Sequence, residues 1–282
     1  MTALIAALLP IGLMLLMLVV GMRLLPSQVV GAFTRPRPML VGLTVQIGVL
    51  PLVAFGLARA FALPLPMAVG LVLVAAAPGG VTSNYIAYLV RADLALSAAM
   101  TLVSTLIAVV TIPLVLSLSG AAIVPGIAGL AKISLAMGAV ALGPMAVGVA
   151  LRWWRPGWAA GLLRVLEPAS KVIFAAMVIA TFVQNWAAMR ANFAEVGPAV
   201  VLLNLSALAA GALAGGAMRL RRPQTHAIMV EASLQNVAVA LFVATVLLQD
   251  PRLTIPALLY ALVMNITTLG HIAFARALAR FG

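Results

Sequence analysis

The chain has 282 residues, 65% hydrophobic and 8% charged, with 17 Lys and Arg against 5 Asp and Glu and no cysteine. So little polar surface excludes a water-soluble globule of this length, and the missing thiols exclude disulfides, cysteine nucleophiles and thiolate metal sites. The net charge of +12 is gathered in short gaps between apolar runs, which speaks for membrane topology rather than nucleic acid.

The apolar runs are about 20 residues long, enough for helices crossing a ~30 Å hydrocarbon core, and lack the alternation of a β-barrel. They predict an all-α integral membrane protein of nine spans, at about 3–24, 37–60, 66–91, 93–118, 124–151, 160–186, 196–219, 225–249 and 254–279. The first run has no basic segment before it and is too long for a signal peptide, so it is expected to be retained. Pro26, Pro36, Pro38, Pro64, Pro66, Pro125, Pro156, Pro198, Pro223 and Pro251 fall at or near the gaps, where helices start and stop. Trp153, Trp154 and Trp158 flank the fifth gap as an interfacial belt.

Arginines mark alternate gaps: Arg23, Arg35 and Arg37, then Arg91, then Arg152, Arg155 and Arg164, then Arg219, Arg221 and Arg222, with Arg276 and Arg280 at the end. The intervening gaps hold only Arg59, Arg190 and Arg252. The asymmetry predicts a multi-pass cell-membrane protein with its N-terminus outside and its C-terminus in the cytoplasm. Lys132 and Lys171 are expected to snorkel from spans toward an interface. His226 and His271 lack metal-ligand spacing and read as separate helix-end or loop residues.

The third span carries Pro78, Gly79 and Gly80 in its middle, followed by Thr82, Ser83 and Asn84. Proline removes a backbone donor and each glycine lowers helix propensity by roughly 1 kcal/mol, so the helix is expected to break into two halves. A proline kink with Ser and Asn bridging helices is the alternative. The eighth span decides for a break, because it has its own polar block from Glu231 to Asn236. Paired interruptions in two halves of a chain are a mark of inverted-repeat secondary transporters. Spans 2–4 and 7–9 then form matching triplets entering from opposite sides.

Glu231 carries a charge into the bilayer at a cost of roughly 2.5–3.5 kcal/mol and therefore needs a partner. Ser97 and Thr101 share a face of the fourth span, while Gln46 and Asn265 lie about halfway along the second and ninth. Singly, each reads as structural; together with Glu231 they make an oxygen-rich shell without Cys or His, suited to a hard monovalent cation such as sodium.

At these residues the chain resembles the bile acid:sodium symporter family. APGGVTSNYIAYLVRADLALSAAMT is similar to that family's PGG-x-x-SN segment and EASLQNVAVA to its E-x-x-x-QN segment, with QIGVLP around Gln46 and NITT at Asn265 in matching order. The resemblance covers nearly the whole chain. It implies a core (about 37–118 and 196–279) moving against a panel (about 3–24 and 124–186), with two broken helices crossing at mid-membrane. It implies one sodium site at Ser83, Asn84, Ser97, Thr101 and Glu231, and a second at Gln46, Glu231, Ala232, Leu234 and Gln235, the carbonyls of Ala232 and Leu234 serving as ligands. Thr82, Asn236 and Asn265 are expected to face the substrate. The departures are one missing N-terminal helix, Val81 where many members carry a hydroxyl, and Met264 where some carry histidine. The expected function is sodium-coupled uptake of an organic anion such as a bile acid, steroid conjugate, pantoate or keto acid, with membrane lipid and no nucleic acid as further partners and half-helix N-termini attracting the anion.

A proton-coupled exchanger of the same superfamily is the alternative, with Glu231 titrating. An arsenite exporter is disfavoured by the missing cysteine. An intramembrane enzyme needs an aligned nucleophile and base, and Ser83 has no candidate base except Glu231. A continuous pore fits a single shared carboxylate poorly.

Overall fold

The computed structural model describes residues 2–34, 36–119 and 126–281, and among them every regular element is a helix. Arg35 and Pro125 fall outside the described residues, as do the side chains of Arg276 and Arg280. In chain order the helices are α1 (Thr2–Arg23), α2 (Pro26–Phe33), α3 (Pro36–Ala60), α4 (Leu65–Ala76), α5 (Ser83–Leu89), α6 (Leu94–Leu118), α7 (Gly126–Trp154), α8 (Pro156–Ala217), α9 (Arg222–Ser233), α10 (Val237–Leu247) and α11 (Thr254–Phe281). Five helical stretches are long and apolar enough to cross a bilayer: α3, α6, α7, α8 and Pro251–Ala275, which takes in most of α11. Their outward faces carry large apolar side chains such as Leu52, Val110, Leu135, Val183 and Ile266, as lipid contact requires. The chain is an integral membrane protein.

Both expected interruptions are present. Helix α4 stops at Ala76 and α5 starts at Ser83; α9 stops at Ser233 and α10 starts at Val237. Asn236 caps α10 by accepting from Val239 N–H at 3.3 Å, and Asp93 caps α6 by accepting from Leu96 N–H at 3.1 Å.

The sixth and seventh spans differ from expectation. Instead of a linker near 187–195, α8 is helical through all 62 residues, with Pro168 and Pro198 inside it. Laid straight it would be ~93 Å long, about three hydrocarbon thicknesses. Its two ends nevertheless lie on one side of the molecule. Ala159 packs with Val19 and Met22 of α1, Glu167 pairs with Arg23, Arg37 donates to the carbonyl of Met218, and Asp93 N–H bonds Pro223 O beside them. The run therefore doubles back between Thr181 and Asn204. Ala, Met and Glu are good helix formers and hold the turn in helical conformation, while Asn185 and Asn192 donate to the carbonyls four residues back and Pro198 has no N–H for the carbonyl of Ala194.

Three spans contain a wide turn with bonds to the fifth residue back, at Thr44–Val49 in α3, Gly138–Leu142 in α7 and Val243–Leu247 in α10. In α3 and α7 a proline follows at once: Leu50 N–H bonds Val45 O just before Pro51, and Gly143 N–H bonds Gly138 O just before Pro144. A proline displaces the carbonyl four residues earlier, and the widened turn relieves that clash. In α3 the wide turn carries Gln46.

Helix α1 lies directly on α7. A Cβ on Gly21 would stand 2.1 Å from the Met145 carbonyl oxygen, and one on Gly148 would stand 2.3 Å from that of Leu18, so both glycines are needed for backbone contact. Helix α4 is buried on every side from Val69 to Ala75, which puts the first interruption in the protein interior.

Candidate functional site

Glu231 is in the last turn of α9 and has no solvent exposure. Each partner of its carboxylate is a neutral hydroxyl from α6. Ser97 Oγ donates to Oε1, and Thr101 Oγ1 lies 3.1 Å from both oxygens. Ser83, the first residue of α5, joins through a 3.5 Å contact to Thr101 Oγ1. The three ion pairs among the described residues are elsewhere, between Arg23 or Lys171 and Glu167 and between Arg252 and Asp250. A carboxylate out of water with only neutral hydroxyls around it has no opposite charge beside it to offset its desolvation.

The two interruptions are bonded to one another. Gly79 and Gln235 form an antiparallel bridge, with Gly80 N–H to Leu234 O at 2.7 Å and Asn236 N–H to Pro78 O at 2.8 Å. Two of the backbone donors and two of the acceptors released by the broken helices are thus satisfied across the breaks, as burial demands. Close approach explains the glycine at 79: a Cβ there would stand 2.1 Å from Glu231 Oε2 and 3.6 Å from Gln46 Nε2.

Gln46, Gln235 and Glu231 meet at this bridge. Both amide atoms of Gln46 and Oε1 of Gln235 are buried without a hydrogen-bond partner among the described residues. Leaving such a group unpaired costs about 1–3 kcal/mol. The Ala232 carbonyl accepts from Gln235 Nε2 at 2.8 Å and that of Leu234 from Gly80 N–H, each keeping a second lone pair.

The remaining predicted residues separate from this cluster. Thr82, Asn84 and Asn236 line a cavity of about 380 Å³ between the broken segments on one side and α1 with the first half of α8 on the other. Asn84 faces that cavity rather than bonding Glu231. Gln235 reaches both places. Asn265 is exposed and donates to Ala261 O at 2.6 Å, while its neighbour Met264 lines the cavity.

Several functional-site residues escape a sequence reading. Ser104 accepts from Gly79 N–H at 3.2 Å; its spacing from Ser97 and Thr101 put it on their helix face, a signal that was available. The Ser233 carbonyl, freed where α9 ends, accepts from Asn204 Nδ2 and Tyr260 Oη, both at 2.9 Å, and Thr267 Oγ1 donates to Asn204 Oδ1 at 2.6 Å. The two histidines, far apart in sequence and without metal-ligand spacing, are bonded to one another, His226 Nδ1 to His271 Nε2 at 2.9 Å with stacked rings. Lys171 ends on Glu167 one turn away rather than reaching out alone.

Two interrupted membrane helices meeting around one carboxylate define a secondary transporter. The sequence model of the Sodium Bile acid symporter family matches residues 10–191, and the chain belongs to that family. It is 30% identical over 237 residues to the "Uncharacterized sodium-dependent transporter YocS" of Bacillus subtilis (strain 168), covering 83% of this chain and 72% of that protein. It is 30% identical over 247 residues to the "Probable sodium/metabolite cotransporter BASS1, chloroplastic" of Arabidopsis thaliana, covering 87% and 61%. It is 32% identical over 223 residues to the human "P3 protein", covering 75% and 45%. The plant and human relatives are thus matched over less than two thirds of their length. The family is one of transporters, and the chain is not an enzyme.

Proposed function

We propose that the chain is a sodium-coupled importer of an organic anion, and that sodium supplies the positive charge Glu231 lacks. The observation carrying this reading is the surroundings of Glu231: full burial, hydroxyl partners only, and the unpaired amides of Gln46 and Gln235 at the same bridge. Oxygen donors without Cys, His or a second carboxylate match a hard monovalent cation, and no group of three or more His, Cys, Asp or Glu among the described residues suits a divalent metal. In this reading Ser83, Ser97, Thr101 and Glu231, with Asn84 at the cavity edge, hold one ion. Gln46, Glu231, Gln235 and the carbonyls of Ala232 and Leu234 hold the other. The names of the bacterial and plant relatives, a sodium-dependent transporter and a sodium/metabolite cotransporter, point the same way.

The architecture we infer has nine spans in an inverted repeat. The broken helices cross at mid-membrane in a core of residues 37–118 and 196–279, facing a panel of 3–24 and 124–186. The doubling back of α8 supports counting it as two spans, and the arginine-rich gaps support an outside N-terminus and a cytoplasmic C-terminus. Mechanistically, ions at the bridge tie both interruptions into one conformation, so that Thr82 and Asn236 at the cavity wall, with Asn265 brought toward it as the core moves, meet the substrate only when the ions are in place. Alternating access then carries ions and anion together.

The test is uptake into proteoliposomes with sodium or potassium outside. Sodium-driven uptake lost in Glu231→Gln is the expected result. Indifference to sodium sinks the proposal, and a pH gradient acting without sodium favours the proton-coupled exchanger.

A further inference from the structure

The 380 Å³ cavity has a charged end that the ion site does not use. Three of its lining residues carry charge: Arg23 at the end of α1, and Glu167 and Lys171 one turn apart on α8. Arg23 holds Glu167 by two bonds, Nε to Oε2 at 3.0 Å and Nη2 to Oε1 at 2.7 Å, while Lys171 Nζ reaches Oε1 at 2.6 Å. The carboxylate is mostly covered, at 19% side-chain exposure, whereas Arg23 and Lys171 remain 46% and 64% exposed. Two cations share one anion, so the cluster keeps one positive charge in excess and N–H donors to spare. Leu16, Val20 and Phe174 give the cavity an apolar lining, and Asn84, Gln235 and Asn236 of the broken segments line it as well.

We infer that Arg23 and Lys171 form the subsite for the acid group of the transported molecule, a monoanionic organic acid with an apolar body. This inference rests on the transport reading above and assigns its substrate end. Topology alone accounts for an arginine at the end of α1, but not for a carboxylate clamped between two cations on a cavity wall. Glu167 has a definite task there. Two bare cations in an apolar-walled cavity would bind an acid too tightly for release, and one carboxylate lowers the excess to a single charge, enough to attract a monoanion and let it leave. It also holds the guanidinium flat and in place, so the incoming acid meets an oriented donor. The volume falls in the range of small-molecule pockets, so the apolar body contributes to binding and a bare inorganic anion would leave the wall unfilled.

The subsite is tested by ligand-induced thermal stabilisation of the purified full chain in a neutral detergent with sodium present. The probes are cholate, phenylpyruvate and 4-phenylbutyrate, each beside its uncharged amide. At least one acid is expected to stabilise the wild type far more than its amide. Its Kd should rise about tenfold or more in Arg23→Gln with Lys171→Gln, rise less in the charge-preserving pair Arg23→Lys with Lys171→Arg, and fall in Glu167→Gln. Equal response to acids and amides, no response to any acid, or undiminished acid binding in the double variant overturns the assignment. The acid and amide comparison on the wild type decides the matter even where the double variant fails to fold. Stabilisation by phosphatidylglycerol through Arg23 and Lys171, with no response to the acids, would overturn it in favour of a lipid headgroup. Stabilisation by sodium alone separates the two proposals: it should persist without Arg23 and Lys171 and vanish in Glu231→Gln.

Discussion

Gly79 lies directly under the carboxylate of Glu231, and a single methyl group at that position would stand 2.1 Å from Oε2. The backbone on which the glycine sits is bridged to Gln235, so neither partner can retreat without opening the pairing of the two interruptions. Gly79→Ala should therefore abolish sodium-dependent uptake and remove sodium-dependent thermal stabilisation, while the variant still inserts in the membrane. Retained sodium stabilisation would show that the carboxylate is freer than its contacts imply.

On α6, Thr101 is the hydroxyl that reaches both oxygens of Glu231, whereas Ser97 reaches one. Thr101→Val keeps the shape and removes the donor. It should raise the sodium concentration for half-maximal uptake several-fold, about 1 kcal/mol of ion binding, and Thr101→Ser should restore most of it. Equal loss in both variants would point to packing as the role of Thr101.

The Ser233 carbonyl takes two donors from different helices, Asn204 and Tyr260. Tyr260→Phe removes one of them and should cost about 1 kcal/mol of stability, read as a lower Tm. Asn204→Leu should cost more, since it also removes the 2.6 Å bond from Thr267 Oγ1 and leaves that hydroxyl the carbonyls of Val263 and Met264. The double variant is expected to fall short of the sum, as the two side chains serve one oxygen.

His226 and His271 meet nitrogen to nitrogen at 2.9 Å, which requires one ring to donate and the other to offer a lone pair. A proton on both rings sets N–H against N–H, with Arg222 in the same first turns of α9. Fully doubly protonated rings cannot keep the bond, so its contribution is present above the ordinary imidazole value of about 6.5 and is lost progressively as pH falls below it. Thermal unfolding from pH 8 to pH 5 should show that loss, and His226→Phe should flatten it. A wild-type profile parallel to the variant would rule the pair out as its source.

Much of this site can be read locally. Pro78-Gly79-Gly80 cannot continue a helix, the block from Glu231 to Asn236 puts a charge and two amides where lipid-facing residues should be, and Ser97 and Thr101 share a helix face. What escaped is set by distance along the chain. Asn204 meets a carbonyl 29 residues away and His226 a ring 45 residues away, and no local pattern encodes such a meeting. The turn in α8 differs in another way: the spans at 160–186 and 196–219 place a linker at 187–195, but the good local helix formers there keep the turn helical. The substrate-facing role of Asn265 is implied by the family resemblance alone; in the structure its amide donates to the carbonyl four residues back.

The pairing of Pro78–Gly80 with Leu234–Asn236 also has a consequence for how the chain is made. The bridge joins residues 156 positions apart, Gly79 and Gln235. At the pace of synthesis the first break waits roughly 8–30 s for its partner to emerge. Throughout that interval its open backbone groups have no mate within the bilayer and must be served by water or by the insertion machinery. The proposed ion site, which lies across this join, would accordingly be among the last parts of the molecule to form, and a ribosome halted before Gln235 should leave a nascent chain that is inserted but unable to respond to sodium.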